Sequence, residues 1–257
     1  MTGLVVRVDD AGLSESVNES IREALRGPAA RSVSLMVPAP AAAHAVRILK
    51  PLPEVVRGLH VTLTSEWEQY RWRPVLSARA VPSLVDTDGF LPRTAEELNR
   101  RGGVDPREAR AEIEAQLLRA REWGFDVRYV DEHMGVGWVR GAGEAIRAVA
   151  AAHGLIDADR TVPPLDGPPN EVPGIERPGA WLPDAVRKAG PGHRVLITHP
   201  GRDDDDLRAL RGIGFRDGGV GALRDADRRM LADHALWTDV RAAGADLTDY
   251  VALTAAL

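Results

Sequence analysis

Short apolar runs and helically periodic stretches alternate along the chain, and the alternation predicts a succession of strands and helices. Leu4 to Val8 is an apolar run that ends at Asp9. Ser14 and Glu15 then open a stretch in which Val17, Ile21, Ala24 and Leu25 recur at helical spacing. Arg31 to Val37 reads as a second strand, and Ala41 to Leu49 as an Ala-rich helix stopped by Pro51. Val55 to Leu63 is the next extended segment, followed by a long loop carrying Trp67 and Trp72 and a turn at Asp88-Gly89. The clearest helix runs from Pro106 to Trp123. Ala109, Ile113, Leu117 and Ala120 form its apolar face, with Glu108, Glu112, Arg119 and Arg121 expected elsewhere on its surface. Val127 to Val130 is a further strand and Gly143 to Ala152 a further helix. Pro163 to Gly179, crowded with proline and glycine, is expected to be a loop. Pro183 to Ala189 reads as a short helix, Arg194 to Thr198 as a strand, and Arg224 to Ala243 as one final amphipathic helix before an apolar tail.

Strands alternating with helices in this way imply a parallel sheet covered by helices. The expected fold is therefore α/β, a deformed (β/α) barrel of mostly parallel strands, formed as a single domain over residues 1–257. An apolar fraction of 44% supplies enough side chains for a sizeable core. No apolar run reaches the roughly 18 residues needed to cross a bilayer, and the first residues lack the pattern of a secretory signal, so a cytoplasmic protein without a membrane partner is expected. A formal charge of -5 offers no broad positive field for phosphate backbones, which argues against nucleic acid as a partner. A homodimer is the commonest default assembly. With no cysteine in the chain, thiolate ligands and thiol nucleophiles are excluded, and histidine and the carboxylates remain as the strong metal ligands.

Four of the apolar runs end in residues that bind metals or move protons. Leu4 to Val8 leads into Asp9-Asp10, Val55 to Leu59 into His60, Val127 to Val130 into Asp131-Glu132-His133, and Val195 to Thr198 into His199. In a parallel barrel the carboxyl ends of all strands share one face, so these groups are expected to converge on one site. An Asp with two His suits a catalytic divalent ion, because three protein ligands leave positions open for water and substrate oxygen. His44, His153, His193 and His234 lie in helical or loop contexts and are assigned to surface or packing.

At these same residues the sequence resembles the YdjC-like (ChbG/HpnK-type) carbohydrate deacetylases. Val8 to Ser14 reads V-D-D-A-G-L-S, Gly58 to Thr64 reads G-L-H-V-T-L-T, and Val81 to Phe90 reads V-P-S-L-V-D-T-D-G-F, each close to a family motif and in the family's order. The helix from Val104 to Gln116, the Asp131-Glu132-His133 element and His199-Pro200-Gly201 continue the match. The resemblance implies one divalent ion, Mg²⁺ or Zn²⁺, held by Asp10, His60 and His133, with Asp9 as general base and His199 as proton donor in removal of an N-acetyl group from an amino sugar or oligosaccharide. Arg160 falls near a family arginine and is a candidate for orienting the sugar, while Trp67 and Trp72 are candidates for stacking on it. The family's second and third histidines of its D-x-H-x-H-x-H run are replaced here by Gly135 and Gly137, a change that bears on substrate choice. Two alternatives stand beside this reading: a metal-dependent esterase or phosphoesterase using the same triad, and a non-catalytic sugar-binding protein on the same scaffold.

Overall fold

The computed structural model describes residues 1–68, 70–167, 178–212 and 218–255. In chain order its elements are β1 (Thr2–Ala11), α1 (Glu15–Leu25), β2 (Ser32–Leu35), α2 (Ala42–Leu49), β3 (Val56–Val61), α3 (Ala95–Arg100), α4 (Pro106–Glu122) and β4 (Val127–Glu132). They continue as α5 (Ala142–His153), β5 (Ile156–Asp157), α6 (Ala158–Thr161), α7 (Leu182–Ala189), β6 (Gly192–Thr198), α8 (Asp205–Ala209), α9 (Gly219–Ala232), α10 (His234–Ala242), β7 (Ala245–Thr248) and α11 (Tyr250–Thr254). The strands form a curled, parallel sheet in the order β5-β4-β3-β2-β1-β6, a half-barrel surrounded by helices. β7 pairs with the first residues of β1, Thr2 to Val5, while β2 pairs with Arg7 to Ala11. Pro163 to Leu165 adds a parallel rung against Val195 of β6.

Period-two alternation along β1 sorts its side chains between two environments. Leu4, Val6 and Val8 face the main core with Val17 and Ile21 of α1. Val5 faces the barrel interior with Tyr129, Val195 and Tyr250. Arg7 and Asp9 share the parity of Val5 and are buried with it, 2% and 1% exposed. Asp10 breaks the alternation. It takes φ +64°, in the left-handed region, and the β1–β2 register shifts between Val8 and Ala11. This bulge lets two consecutive aspartates turn toward one cavity, which a regular strand forbids. On β3, a Cβ built at Gly58 would overlap the Tyr129 ring, so glycine is required where the barrel interior is filled by that tyrosine.

Three features differ from the sequence reading. The expected helix over Arg224 to Ala243 is two helices, because Asp233 turns extended between α9 and α10 and its carboxylate accepts the N–H groups of Ala235 and Leu236 at 3.0 and 3.1 Å. The apolar tail is β7 and α11, with Asp249 capping the latter through Val251 and Ala252. Glu112, expected on the surface of α4, is buried and accepts the N–H groups of Val75 and Leu76 at 2.8 and 2.9 Å. Beside it, Gln116 exchanges two hydrogen bonds with the main chain of Thr62, at 3.2 and 2.9 Å. The inner face of α4 therefore holds the start and the middle of the long loop after β3, a role that its helical period does not reveal. Of the loop expected over Pro163 to Gly179, residues 168–177 lie outside the described residues.

Candidate metal centre

The carboxyl ends of β1, β3, β4 and β6 meet at one cavity of about 400 Å³, within the range of about 300–1,000 Å³ usual for small-molecule sites. Asp9, Asp10, His60, His133 and His199 all line it. Asp10, His60 and His133 each present a ligand atom there, all within 4.8 Å of one another. Asp10 Oδ1 lies 3.5 Å from His60 Nε2 and 3.3 Å from His133 Nδ1. Ligands about 2.1 Å from a shared ion stand roughly 3–3.5 Å apart, so this spacing fits a divalent cation. Although buried, Asp10 Oδ1 has no hydrogen-bond partner, an arrangement that a cation would resolve.

Each imidazole is oriented from behind by a carboxylate. Asp131 Oδ1 receives His60 Nδ1–H at 2.7 Å, leaving Nε2 toward Asp10. Glu66 Oε2 receives His133 Nε2–H at 3.0 Å, leaving Nδ1 toward Asp10. Such carboxylate partners fix the tautomer that a metal requires. Asp131 is itself fixed by the Ser34 hydroxyl at 2.5 Å and by Arg7 Nε at 2.9 Å. Glu66 comes from the loop after β3, which is braced by Trp72: its indole N–H donates to the Thr64 carbonyl at 2.8 Å, and its main-chain N–H to Ser65 Oγ at 2.9 Å.

Arg7 lies beneath these groups, inside the barrel. Its Nε and Nη2 hold both oxygens of Asp9 at 2.8 and 2.9 Å, and its Nη1 reaches Asp159 at 3.0 Å and the Tyr250 hydroxyl at 3.3 Å. Asp9, His60 and Asp131 also gather within 4.8 Å, but Arg7 already supplies positive charge to both carboxylates, so this second cluster is an ion-pair network. On the other side, Arg224 of α9 pairs with Asp10 Oδ2.

The electrostatics follow from these contacts. Burial alone would raise the Asp10 carboxyl, but Arg224 and the two imidazoles hold it well below the usual range. Burial likewise opposes a charge on His133, yet Glu66 and Asp10 outweigh it and push the imidazole up to about 9. His60 is raised in the same sense, against its own burial, by Asp131, Asp9 and Asp10. In the ion-free protein the His133 proton therefore contributes stability that is fully present below the ordinary histidine value of about 6.5 and is lost as pH rises through about 9. The urea midpoint of ion-free protein is expected to fall across that window. A midpoint that stays level or rises would show that the pair is not protonated.

Among the sequence candidates, Asp9, Asp10, His60, His133 and His199 are brought together. His199 is half-buried, and its main-chain N–H donates to Asp227 Oδ2 of α9 at 2.7 Å. Trp67 lines the cavity but is 1% exposed, and Trp72, 4% exposed, is absent from the cavity wall. Arg160 is exposed on α6, its main-chain N–H directed at Asp157, and is also absent from the wall. Residues that sequence reasoning gave no role are Arg7, Glu66, Asp131, Arg224 and Asp227. Arg7 lies two residues before Asp9 on β1, so period two could have found it, and Asp131 stands in the Asp131-Glu132-His133 strand end, where the sequence reading named it without giving it a task. Glu66, Arg224 and Asp227 come from a loop and a helix whose approach the local sequence does not encode.

The model of the family described as YdjC-like protein matches residues 3–242. The chain belongs to this family. It is 37% identical over 131 residues to a carbohydrate deacetylase of Geobacillus stearothermophilus, a match spanning 50% of this chain and 48% of the relative. Against a carbohydrate deacetylase of Thermoanaerobacter pseudethanolicus the identity is 26% over 264 residues, covering 97% of this chain and 98% of the relative. A crystal structure of an Enterococcus faecalis V583 protein assigned to cellobiose-phosphate cleavage superposes with a TM-score of 0.77 at 20% identity, covering 98% of each chain, and shares the fold. Family membership and the buried Asp/His/His cluster together support a metal-dependent hydrolase. Among the described residues, no helix is long and apolar enough to cross a membrane.

Proposed function

We propose that this YdjC-like protein is a metal-dependent deacetylase that removes an N-acetyl group from an amino sugar or related glycan. The observation that carries the reading is the convergence of Asp10, His60 and His133 around an unpartnered buried oxygen on the cavity floor, with Asp9 beside them. The full-length likeness to a carbohydrate deacetylase supplies the substrate class. A divalent ion held by the three ligands supplies Lewis acidity toward an amide carbonyl and acidifies water.

The chain's own groups divide the proton work. Asp9 is the proposed base. A carboxylate offers about four lone-pair sites, and Arg7 uses one on each Asp9 oxygen, so a free site remains on each to accept a proton from attacking water. Arg7 fixes the plane of that carboxylate. His199, on the neighbouring strand end, is the proposed donor to the departing amine, with its main chain anchored by Asp227. Arg224 keeps Asp10 ionised and oriented by pairing with the oxygen turned away from the imidazoles. Met134, Ile197, Val220 and Leu223 give the cavity an apolar wall on which the non-polar face of a sugar ring can rest.

Acetate release from N-acetylglucosamine oligomers by ion-loaded protein tests the reading. Release that disappears with the ion supports it. Tight ion binding with no acetate from any N-acetylated glycan contradicts the substrate class.

A further inference from the structure

Five carboxylates line the cavity, those of Asp9, Asp10, Glu66, Glu132 and Asp227. Four of them are set against positive charge or an imidazole. Asp9 is gripped by Arg7, Asp10 by Arg224, and Glu66 by His133. Asp227 accepts the His199 N–H and lies within electrostatic reach of His199 and Arg224. Glu132 differs from these four. Its Oε2 accepts the Gly137 main-chain N–H at 2.9 Å, no cation among the described residues forms an ion pair or hydrogen bond with it, and the charges that act on it are the Asp157 and Asp131 carboxylates, with Arg7 acting more weakly.

The position of Glu132 depends on Gly137. A Cβ built at 137 would overlap the Glu132 carboxyl, so no side chain at 137 can coexist with the carboxyl where it stands. Position 137 is where the resembling motif carries a histidine. In this chain the imidazole is absent, and a carboxylate from the strand end occupies the space that the side chain would need. Glu132 itself lines the cavity and places a carboxyl in its wall. Met134, in the left-handed region at φ +52°, and Gly135 at φ +61° make the turn that folds Gly137 back over Glu132.

We infer that Glu132 is a specificity-determining residue that recognises an ammonium group on the glycan, so that the preferred substrate carries a free amine beside the acetamido group to be cut. The inference deepens the deacetylase reading and rests on it for the identity of the ligand as an amino sugar. A partly deacetylated oligosaccharide has the required chemistry: a neutral acetamide for the metal centre and a cationic amine on an adjoining residue for Glu132. An unpaired carboxylate in a half-buried wall gains more from a charged donor than from a sugar hydroxyl.

The test is calorimetric binding, to ion-loaded protein in mildly acidic buffer, of the glucosamine disaccharide and of its fully N-acetylated counterpart. The protein carries Asp9→Asn throughout so that the acetylated glycan is not cut, with wild type meaning the unaltered residues 132 and 137. Glu132→Gln keeps an acceptor for the Gly137 N–H and removes the charge. It is expected to weaken the amine-bearing disaccharide by roughly tenfold or more and to leave the acetylated one within about twofold. Gly137→Ala, which displaces the carboxyl without removing it, is expected to show the same selectivity. Equal weakening of both glycans, no change in either, or failure of the wild type to bind the amine-bearing glycan would overturn the inference. Acetate release is measured separately. Selective binding without acetate release keeps the ammonium subsite and removes the deacetylase reading, whereas release with no selectivity at Glu132 does the reverse.

Discussion

Asp9→Asn is expected to leave ion binding intact and to lower acetate release by roughly a hundred- to ten-thousandfold, the usual worth of a positioned general base. The expectation follows from the separation of two adjacent residues into two tasks. The bulge at Asp9-Asp10 sends Asp10 Oδ1 toward the imidazoles, while Asp9 keeps both oxygens on Arg7 and lies outside the Asp10, His60 and His133 set. An asparagine keeps the volume and one acceptor for Arg7 but cannot take a proton. Because Arg7 retains Asp131 and Asp159, the variant should fold. Stoichiometric ion uptake and acetate release, measured on the same preparation, separate the two tasks. Retention of more than about a tenth of the activity would place the base elsewhere on the cavity wall.

Arg7→Met is expected to be the most destabilising single change in the site. Arg7 is 2% exposed and neutralises Asp9, Asp131 and Asp159 at 2.8 to 3.0 Å. Methionine fills a similar volume but leaves Asp9 and Asp131 facing one another in the barrel interior without their cation, with Asp159 at its edge. Removing one partner of a buried pair typically costs about 3–5 kcal/mol, and urea unfolding measures it. The same change releases Asp131, whose hold on His60 orients that ligand, so ion affinity should fall by roughly ten- to a hundredfold. A loss of stability below about 1 kcal/mol would mean that Arg7 is not the charge that holds the barrel interior together.

The strand ends were legible because a parallel sheet has one chemical rule: every strand delivers its last residues to the same face. That rule, applied to four apolar runs, located Asp9, Asp10, His60, His133 and His199 at one cavity. It did not show how two neighbouring aspartates both reach that cavity, since the bulge that turns them there depends on a left-handed Asp10 that no pattern of apolar residues announces. Arg7 was legible in principle, as a charge in the middle of an otherwise apolar strand at the parity of Asp9. Glu66 was not, because its approach depends on a loop held by Glu112 and Gln116 of α4, two buried polar residues of which the sequence reading set Glu112 on the helix surface and gave Gln116 no task. Trp67 and Trp72 invited a sugar-stacking reading on composition, and the same loop packing accounts for their burial. The break at Asp233 was missed because the apolar positions on either side stay close to helical period, and only the extended backbone of one residue separates α9 from α10.

The central claim is that Asp10, His60 and His133 form a divalent metal site, and the most direct test is titration of ion-free protein with Zn²⁺ and Mg²⁺, followed by calorimetry. One ion per chain is predicted for the wild type, with affinity reduced by at least about a hundredfold in His133→Ala and in Asp10→Asn and unchanged in Asp9→Asn. Wild-type protein that binds neither ion, or ligand variants that bind as tightly as wild type, would contradict it.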